Sequence, residues 1–495
     1  MGATRCTERI PLHPRCAQAE TNFLSVDLSG ALLLDLPQSM VGPRHTSRET
    51  HCNGSVQGVT DKAGQPSSVS LKFRLARGVI WSTVGAFFSS GLTFLASVFV
   101  ARLLGKTSYG ELAMLQSTVN MFSVCAGFGL GLATTKYVAE FRERDRAKAG
   151  RVIAACATFS VVTGGLTTAA MFVLAPVLTT KILAAGHLAS ELRVGSLLLV
   201  MAALNGVQIG VLSGLEAFKS IAIVNMLKGL CGFSFVVGGV YVAGLYGAVW
   251  GLVITATASL LINGICVVKR LTEVGIILQF KNCFQEWMII SRFSIPAIIS
   301  MGIFSFGNWA SHAILARQPT GYAELGVFNA ANHLFVALLL ISSLLNKPLV
   351  PVLSEQMGNS QGENASRILG LTIKMNAFII LPLVLVGCLL SPYLMALFGE
   401  EFVHAWPTLV VVLATAGIFT IVGPIGHWIV ASGRVWINAL LYTTWAIVFV
   451  GLTWLIVSGG AMGLASARAG AYCIHGVLAA LFACKYIFGP LYQEP

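Results

Sequence analysis

Charge is what this chain has least of. Only 11% of its 495 residues are Asp, Glu, Lys or Arg, against about 25% in an ordinary soluble domain. Aspartate is scarcest of all: Asp27, Asp35, Asp61 and Asp145 are the full set, and none lies in an apolar run. The glutamates fall in loops, turns and the ends of runs. A carboxylate at membrane depth, the usual seat for a cationic cargo or coupling ion, is therefore missing. A Walker lysine motif, HExxH and GxSxG are also absent, so nothing supports an ATP-driven engine or a hydrolytic centre. The 11 cysteines contain no CxxC pair. Cys125, Cys156, Cys231, Cys266, Cys388, Cys473 and Cys484 lie in or beside apolar runs and read as small buried residues, not as disulfides or metal ligands. No cofactor and no metal site is expected.

What is abundant is apolar surface. Hydrophobic residues make up 56% of the chain, in repeated runs of about 20, the length of a bilayer-crossing helix. A barrel would show short alternating strands instead. The expected fold class is an all-α polytopic membrane protein with twelve spans: 78–100, 111–133, 152–175, 194–215, 221–243, 245–268, 294–316, 322–345, 368–390, 406–431, 434–456 and 460–485. The net charge of +12 does not point to nucleic acid, because the basic residues sit mostly between spans. With both termini cytoplasmic, the loops and flank on that side carry 19 Lys and Arg and the opposite loops carry 5, as the positive-inside rule requires.

Residues 1–70, with Pro, Ser, Gly and scattered Cys, read as a disordered cytoplasmic tail in which Met40 offers an alternative start. The patch Ala31–Leu34 is too short and interrupted to be a signal peptide. Residues 71–268 form a first six-span lobe and 294–485 a second. The linker 269–293 carries Lys269, Arg270, Lys281 and Arg292 around an apolar Val274–Leu278. It is either an amphipathic segment on the inner leaflet or a plain loop. Residues 486–495 are a cytoplasmic tail.

The two lobes are one unit written twice. Arg102, Tyr109 and Glu111 recur as Arg317, Tyr322 and Glu324, at offsets of 215 and 213. In the loops that follow, Glu140 and Arg151 recur as Glu355 and Arg367. At these offsets Ser90, Thr93 and Ser97 of the first span match Ser305, Asn308 and His312 of the seventh. Gln116 and Asn120 of the second span match Asn329 and His333 of the eighth, beside Asn332. Spacings of three and four put each set on one helix face. The faces line a shared centre, or else glue the bundle by interhelical hydrogen bonds.

Two full cations lie within spans. Arg468 is about 12 Å from the nearer end of the last span at the helical rise, with Tyr472 and His475 on the same face. Lys228 is about 10 Å into the fifth, where snorkelling competes with a cavity role. Arg468 is either a cavity residue or one half of a buried structural pair. A buried positive charge with no buried acid suits an anionic cargo, which Arg grips through paired hydrogen bonds. The run Gly127-Phe128-Gly129-Leu130-Gly131 ends an apolar helix with no strand before it, so it reads as helix packing and not as a phosphate loop. Gly423-Pro424-Ile425-Gly426 marks a hinge or a static bend.

The stretch Gly78–Arg151, with Phe99-Val100-Ala101-Arg102-Leu103-Leu104-Gly105, Tyr109-Gly110, Phe128-Gly129-Leu130 and Lys136-Tyr137, resembles the polysaccharide biosynthesis (O-antigen type) flippases of the multidrug/oligosaccharidyl-lipid/polysaccharide exporter superfamily. The resemblance implies a MATE-like fold, two parallel six-helix lobes about a central cavity. It implies as cargo an undecaprenyl-pyrophosphate-linked oligosaccharide crossing a bacterial inner membrane, with no enzyme activity, and makes a polysaccharide polymerase complex a candidate partner. Lys228 and Arg468 rest on depth and charge alone, not on a family motif. A cation-coupled drug exporter, a membrane glycosyltransferase or polymerase, and a non-transporting scaffold are the alternatives.

Overall fold

The computed structural model describes residues 68–281, 286–346, 362–432 and 435–487. The predicted tail up to residue 67, Glu355 and Arg434 lie outside them. The described chain is almost wholly helical, because a backbone in lipid must satisfy every N–H and C=O within its own segment. Among the described residues, eight segments are long and apolar enough to cross a membrane. Three of them, Thr83–Gly127, Phe218–Val274 and Trp436–Lys485, double back, at Gly105, at Ala243–Gly244 and at Val457–Gly460 respectively. With the further helix Trp287–Ala316, the twelve spans are accounted for.

The folding back is visible in the packing. Gly239 lies against the Gly247 backbone and Gly251 against Phe235, which makes the fifth and sixth spans an antiparallel pair. Gly470 against Leu452 and Gly463 against the Ile456 carbonyl do the same for the last two.

One predicted boundary is wrong. The turn expected over 101–110 is helical except at Gly105 (φ 72°, ψ 170°). Lys106, Thr107 and Ser108 read as loop because they are polar, but they form the first turn of the next helix. Its counterpart is a true turn at 317–320, closed by Thr320 with φ 60°. The second span also breaks at Phe128 and Gly129, both left-handed, and continues as Leu130–Phe141. There Gly131 sits 2.7 Å (as a built Cβ) from the Gly206 carbonyl, the helix packing expected of that glycine run.

Equivalent helices pair alike in the two halves. The first packs on the fifth as the seventh on the eleventh, the third on the fourth as the ninth on the tenth, and the fourth on the sixth as the tenth on the twelfth. Small residues allow these contacts: Gly85 abuts Ala222, and Gly307 abuts Ala446. Outward faces carry exposed Val173, Tyr241, Phe378 and Trp454, surface that suits lipid.

The halves meet mainly through the second, seventh and eighth spans. At the end bearing the 105 and 317–320 turns, Gly110 and Gly326 cross so closely that a Cβ on either would strike the Tyr322 or Lys106 carbonyl. The segments 178–188 and 391–405 gather at this same end. At the other end Arg142 pairs with Glu216 at 2.5 Å and Arg151 with Glu286 at 3.4 Å. The sixth span runs on to Val274 and stops at left-handed Gly275, where the Ile276 amide donates to the Leu271 carbonyl. Beyond it Ile276 is buried, while Ile277 and Phe280 face outward.

Candidate functional site

The last helix, Gly460–Ile487, presents Arg468, Tyr472 and His475 on one face, and all three are buried. Opposite stands the eighth span, Gly321–Asn346, with Phe328, Asn332 and Phe335 at i, i+4 and i+7, again one face. The two faces meet at Arg468. Its guanidinium lies 4.2 Å from the Phe335 ring centre and 4.8 Å from that of Phe328, within cation–π range. Nη1 donates to Asn332 Oδ1 at 2.7 Å. Nε and Nη2 have no partner among the described residues, though Arg468 is only 5% exposed.

A structural ion pair needs a carboxylate, and none of the ion pairs among the described residues involves Arg468. Asn332 is neutral and takes one of five N–H groups. The Nε–Nη2 edge, the side that grips an oxyanion with two parallel bonds, is left over.

His312 extends the site toward the first half. Its Nδ1 lies 3.0 Å from Ser117 Oγ of the second span, and its ring stands edge-on to Phe328 at 5.6 Å. It also feels the Arg468 charge. One span-turn away, Trp309 Nε1 donates to Thr118 Oγ1 at 3.2 Å. Hydrogen bonds thus cross between the halves at the depth of the site.

The other expected residues divide. Tyr472 packs between Phe419 and Trp445, at 5.1 and 5.2 Å. His475 Nδ1 lies 3.3 Å from the Leu441 carbonyl, beside the Tyr442 ring. Asn308 donates to its own helix at Phe304. Thr93 and Ser97 likewise bond back to Ser89 and Phe94. Ser90 and Asn120 are exposed, while Gln116, Asn329 and His333 are half-buried. Asn329 and Ser97 flank the buried Tyr109 hydroxyl. Lys228 is exposed, one residue from Gly229, which packs on Ser89.

The repeated turn residues close one end of the bundle. Arg102 Nε donates to the Leu397 carbonyl at 2.6 Å and Nη2 to Ala396 at 3.4 Å, where a cation meets the negative end of a short helix. Glu401 accepts from the Lys106 amide, and Glu111 pairs with His187 at 2.7 Å. Glu324 accepts from the Ala461 amide at the start of the last span, 2.8 Å. The Tyr322 hydroxyl donates to the Leu183 carbonyl at 2.8 Å. Arg317 is exposed.

Sequence reasoning missed Phe328, Phe335 and Ser117. Phe328 and Phe335 had a signal, since their spacing with Asn332 makes a single stripe.

The family model described as polysaccharide biosynthesis protein matches residues 75–357. This chain belongs to that family. It is 25% identical over 351 residues to the succinoglycan biosynthesis transport protein ExoT of Rhizobium meliloti (strain 1021), over 70% of this chain and 67% of that protein. Among solved structures it resembles an inward-facing multidrug-resistance MATE transporter of the MOP superfamily, with TM-score 0.67 and 15% identity, over 82% of this chain and 96% of the other. A MOP-superfamily transporter from Pyrococcus furiosus, reported with a binding pocket of reversed polarity, matches with TM-score 0.61 and 17% identity, over 86% and 97%. The fold is therefore that of the MATE exporters, and with the polysaccharide biosynthesis family and the transport-protein relative it supports a membrane exporter.

Proposed function

We propose that the chain is a flippase that carries an undecaprenyl-pyrophosphate-linked oligosaccharide across the bacterial inner membrane by alternating access. Lobes 71–268 and 294–485 rock about the site, with linker 269–293 and both termini on the cytoplasmic side. The observation that carries this reading is the free Nε–Nη2 edge of Arg468. It is a fixed, dry, paired donor with no acid to neutralise it, which is what a pyrophosphate oxygen pair requires. The Phe328 and Phe335 rings pack against the guanidinium and help to hold it in place. Lys228 adds positive charge in the other lobe, and half-buried Gln116, Asn329 and His333 supply groups that can meet sugar. No covalent bond changes.

The test is Arg468→Ala, with Arg468→Lys beside it. Alanine should abolish surface polysaccharide while the protein level in the membrane stays normal. Lysine keeps the charge but not the fork, and should restore only part of the output. Normal polysaccharide in the alanine variant would remove Arg468 from the mechanism.

A further inference from the structure

Asn332 does more than brace Arg468. A guanidinium has five N–H donors and no acceptor, so the Asn332 atom that meets Nη1 at 2.7 Å is the amide oxygen. That oxygen ties the last span to the eighth, and it is neutral. The bond leaves the full positive charge of the guanidinium in place, although Arg468 is only 5% exposed. Among the described residues Asn332 is the one hydrogen-bond partner of the Arg468 side chain, since Nε and Nη2 have none. The side chain at position 332 therefore bears on both the direction and the net charge of the site.

The fold does not demand a polar group there. At the repeat offset of 213, Asn332 matches Val119 of the second span, Phe328 matches Leu115 and Phe335 matches Phe122. Val119 is buried and packs toward Gly195. The same helix position thus holds an aliphatic side chain in the first half and an amide in the second, where it meets the cation. Aspartate has the shape of asparagine but would bring a carboxylate to the place now taken by the amide, 2.7 Å from Nη1. A carboxylate and a guanidinium buried at that distance hold each other, because parting them strands two charges in a dry site. A carboxylate can also take two parallel N–H bonds, the bonds that an incoming anion needs.

We propose that Asn332 is the specificity-determining residue of the Arg468 site. Its neutral oxygen holds Nη1 and leaves both the charge and the Nε–Nη2 edge of the guanidinium to an anionic ligand. A carboxylate at 332 would turn the same contact into an internal ion pair and close the site to anions. An aliphatic residue would keep the charge but release one corner of the guanidinium, which Phe328 and Phe335 would then hold alone. Charge at 332 thus sets whether an anion is accepted, and the hydrogen bond sets how well it is aligned. This role for Asn332 rests on the reading of Arg468 as the seat of the pyrophosphate.

The experiment uses the full chain purified in lipid nanodiscs, with inorganic pyrophosphate as the probe at constant ionic strength. Affinity is read by calorimetric titration, and unfolding temperature is read without ligand. Asn332→Asp should weaken pyrophosphate binding by about thirtyfold or more and raise the unfolding temperature, because the buried cation gains its partner. Asn332→Val, the first-half residue, should fold and weaken binding by about tenfold. The expected order of affinity is Asn, then Val, then Asp. A merely structural amide would give the opposite order for the two variants, since aspartate keeps the shape and valine does not. Arg468→Ala should abolish binding. Binding lost in Arg468→Ala but kept in Asn332→Asp would overturn the role of Asn332 and leave the reading of Arg468 standing. Binding unchanged in Arg468→Ala, or absent from the unaltered chain, would overturn that reading itself. Should Asn332→Asp fail to fold, Asn332→Val decides, and unchanged affinity there overturns the proposal.

Discussion

Gly110→Ala tests whether the crossing of the second and eighth spans holds one end of the bundle shut. At Gly110 a Cβ would land on the Tyr322 carbonyl and lie 2.8 Å from the Gly326 amide nitrogen. Both neighbours are backbone, so no side chain can swing aside, and the helices must part. Parting strains Arg102 to Leu397 (2.6 Å), Tyr322 to Leu183 (2.8 Å) and Lys106 to Glu401 (3.3 Å), which cross the same end. Overpacking of this kind costs about 1–3 kcal/mol. Set against the closed state alone, it shifts the population toward an open end by about 5- to 150-fold. Ser97, buried beside Tyr109 beneath the crossing, reports the change. In a background without the native cysteines, Ser97→Cys should react slowly with a bulky maleimide, and the reaction should accelerate by that factor once Gly110→Ala is added. Gly326→Ala, whose Cβ would strike the Lys106 carbonyl, should act alike. Unchanged labelling in both variants, with the protein still monodisperse, would refute the view that this contact is the seal.

Two further outcomes follow from the packing. Glu216→Gln leaves Arg142 with a neutral partner in a half-buried site and should lower stability by about 1 kcal/mol, read as a fall in unfolding temperature; no fall would mean that the pair is idle. Trp445→Ala removes a fully buried ring stacked on Phe304 at 4.8 Å and against Phe449 at 5.3 Å. It should cost about 3–5 kcal/mol and sharply reduce the folded yield, whereas a loss below about 1 kcal/mol would show that the site collapses around the gap.

The spans were legible because hydropathy follows directly from what lipid tolerates, and the repeat because it preserved Arg, Tyr and Glu at fixed offsets. The turn at 101–110 was misread for a physical reason. Lys106 and Thr107 are polar because they lie near the end of a span, which does not stop them from being helical. At the site, spacing alone put Arg468, Tyr472 and His475 on one face. Their partners were hidden, since Phe328 under the guanidinium and Phe378 on the outer surface have the same hydropathy. Pro424 was visible as a break. That the Thr420 carbonyl, which loses its helical donor to this proline, is met from the ninth span by Asn376 depends on tertiary packing, and no local pattern encodes it.

The three doubled-back helices turn on single glycines or a few residues, Gly105, Ala243–Gly244 and Val457–Gly460. A link that short gives its two arms almost no freedom to slide past each other, so each pair can tilt only as a stiff fork. Longer joints lie at 178–188 and 390–405. Arg468 sits on one arm of such a fork and the Trp445 stack on the other. The cation is thereby fixed to a stiff pair of spans.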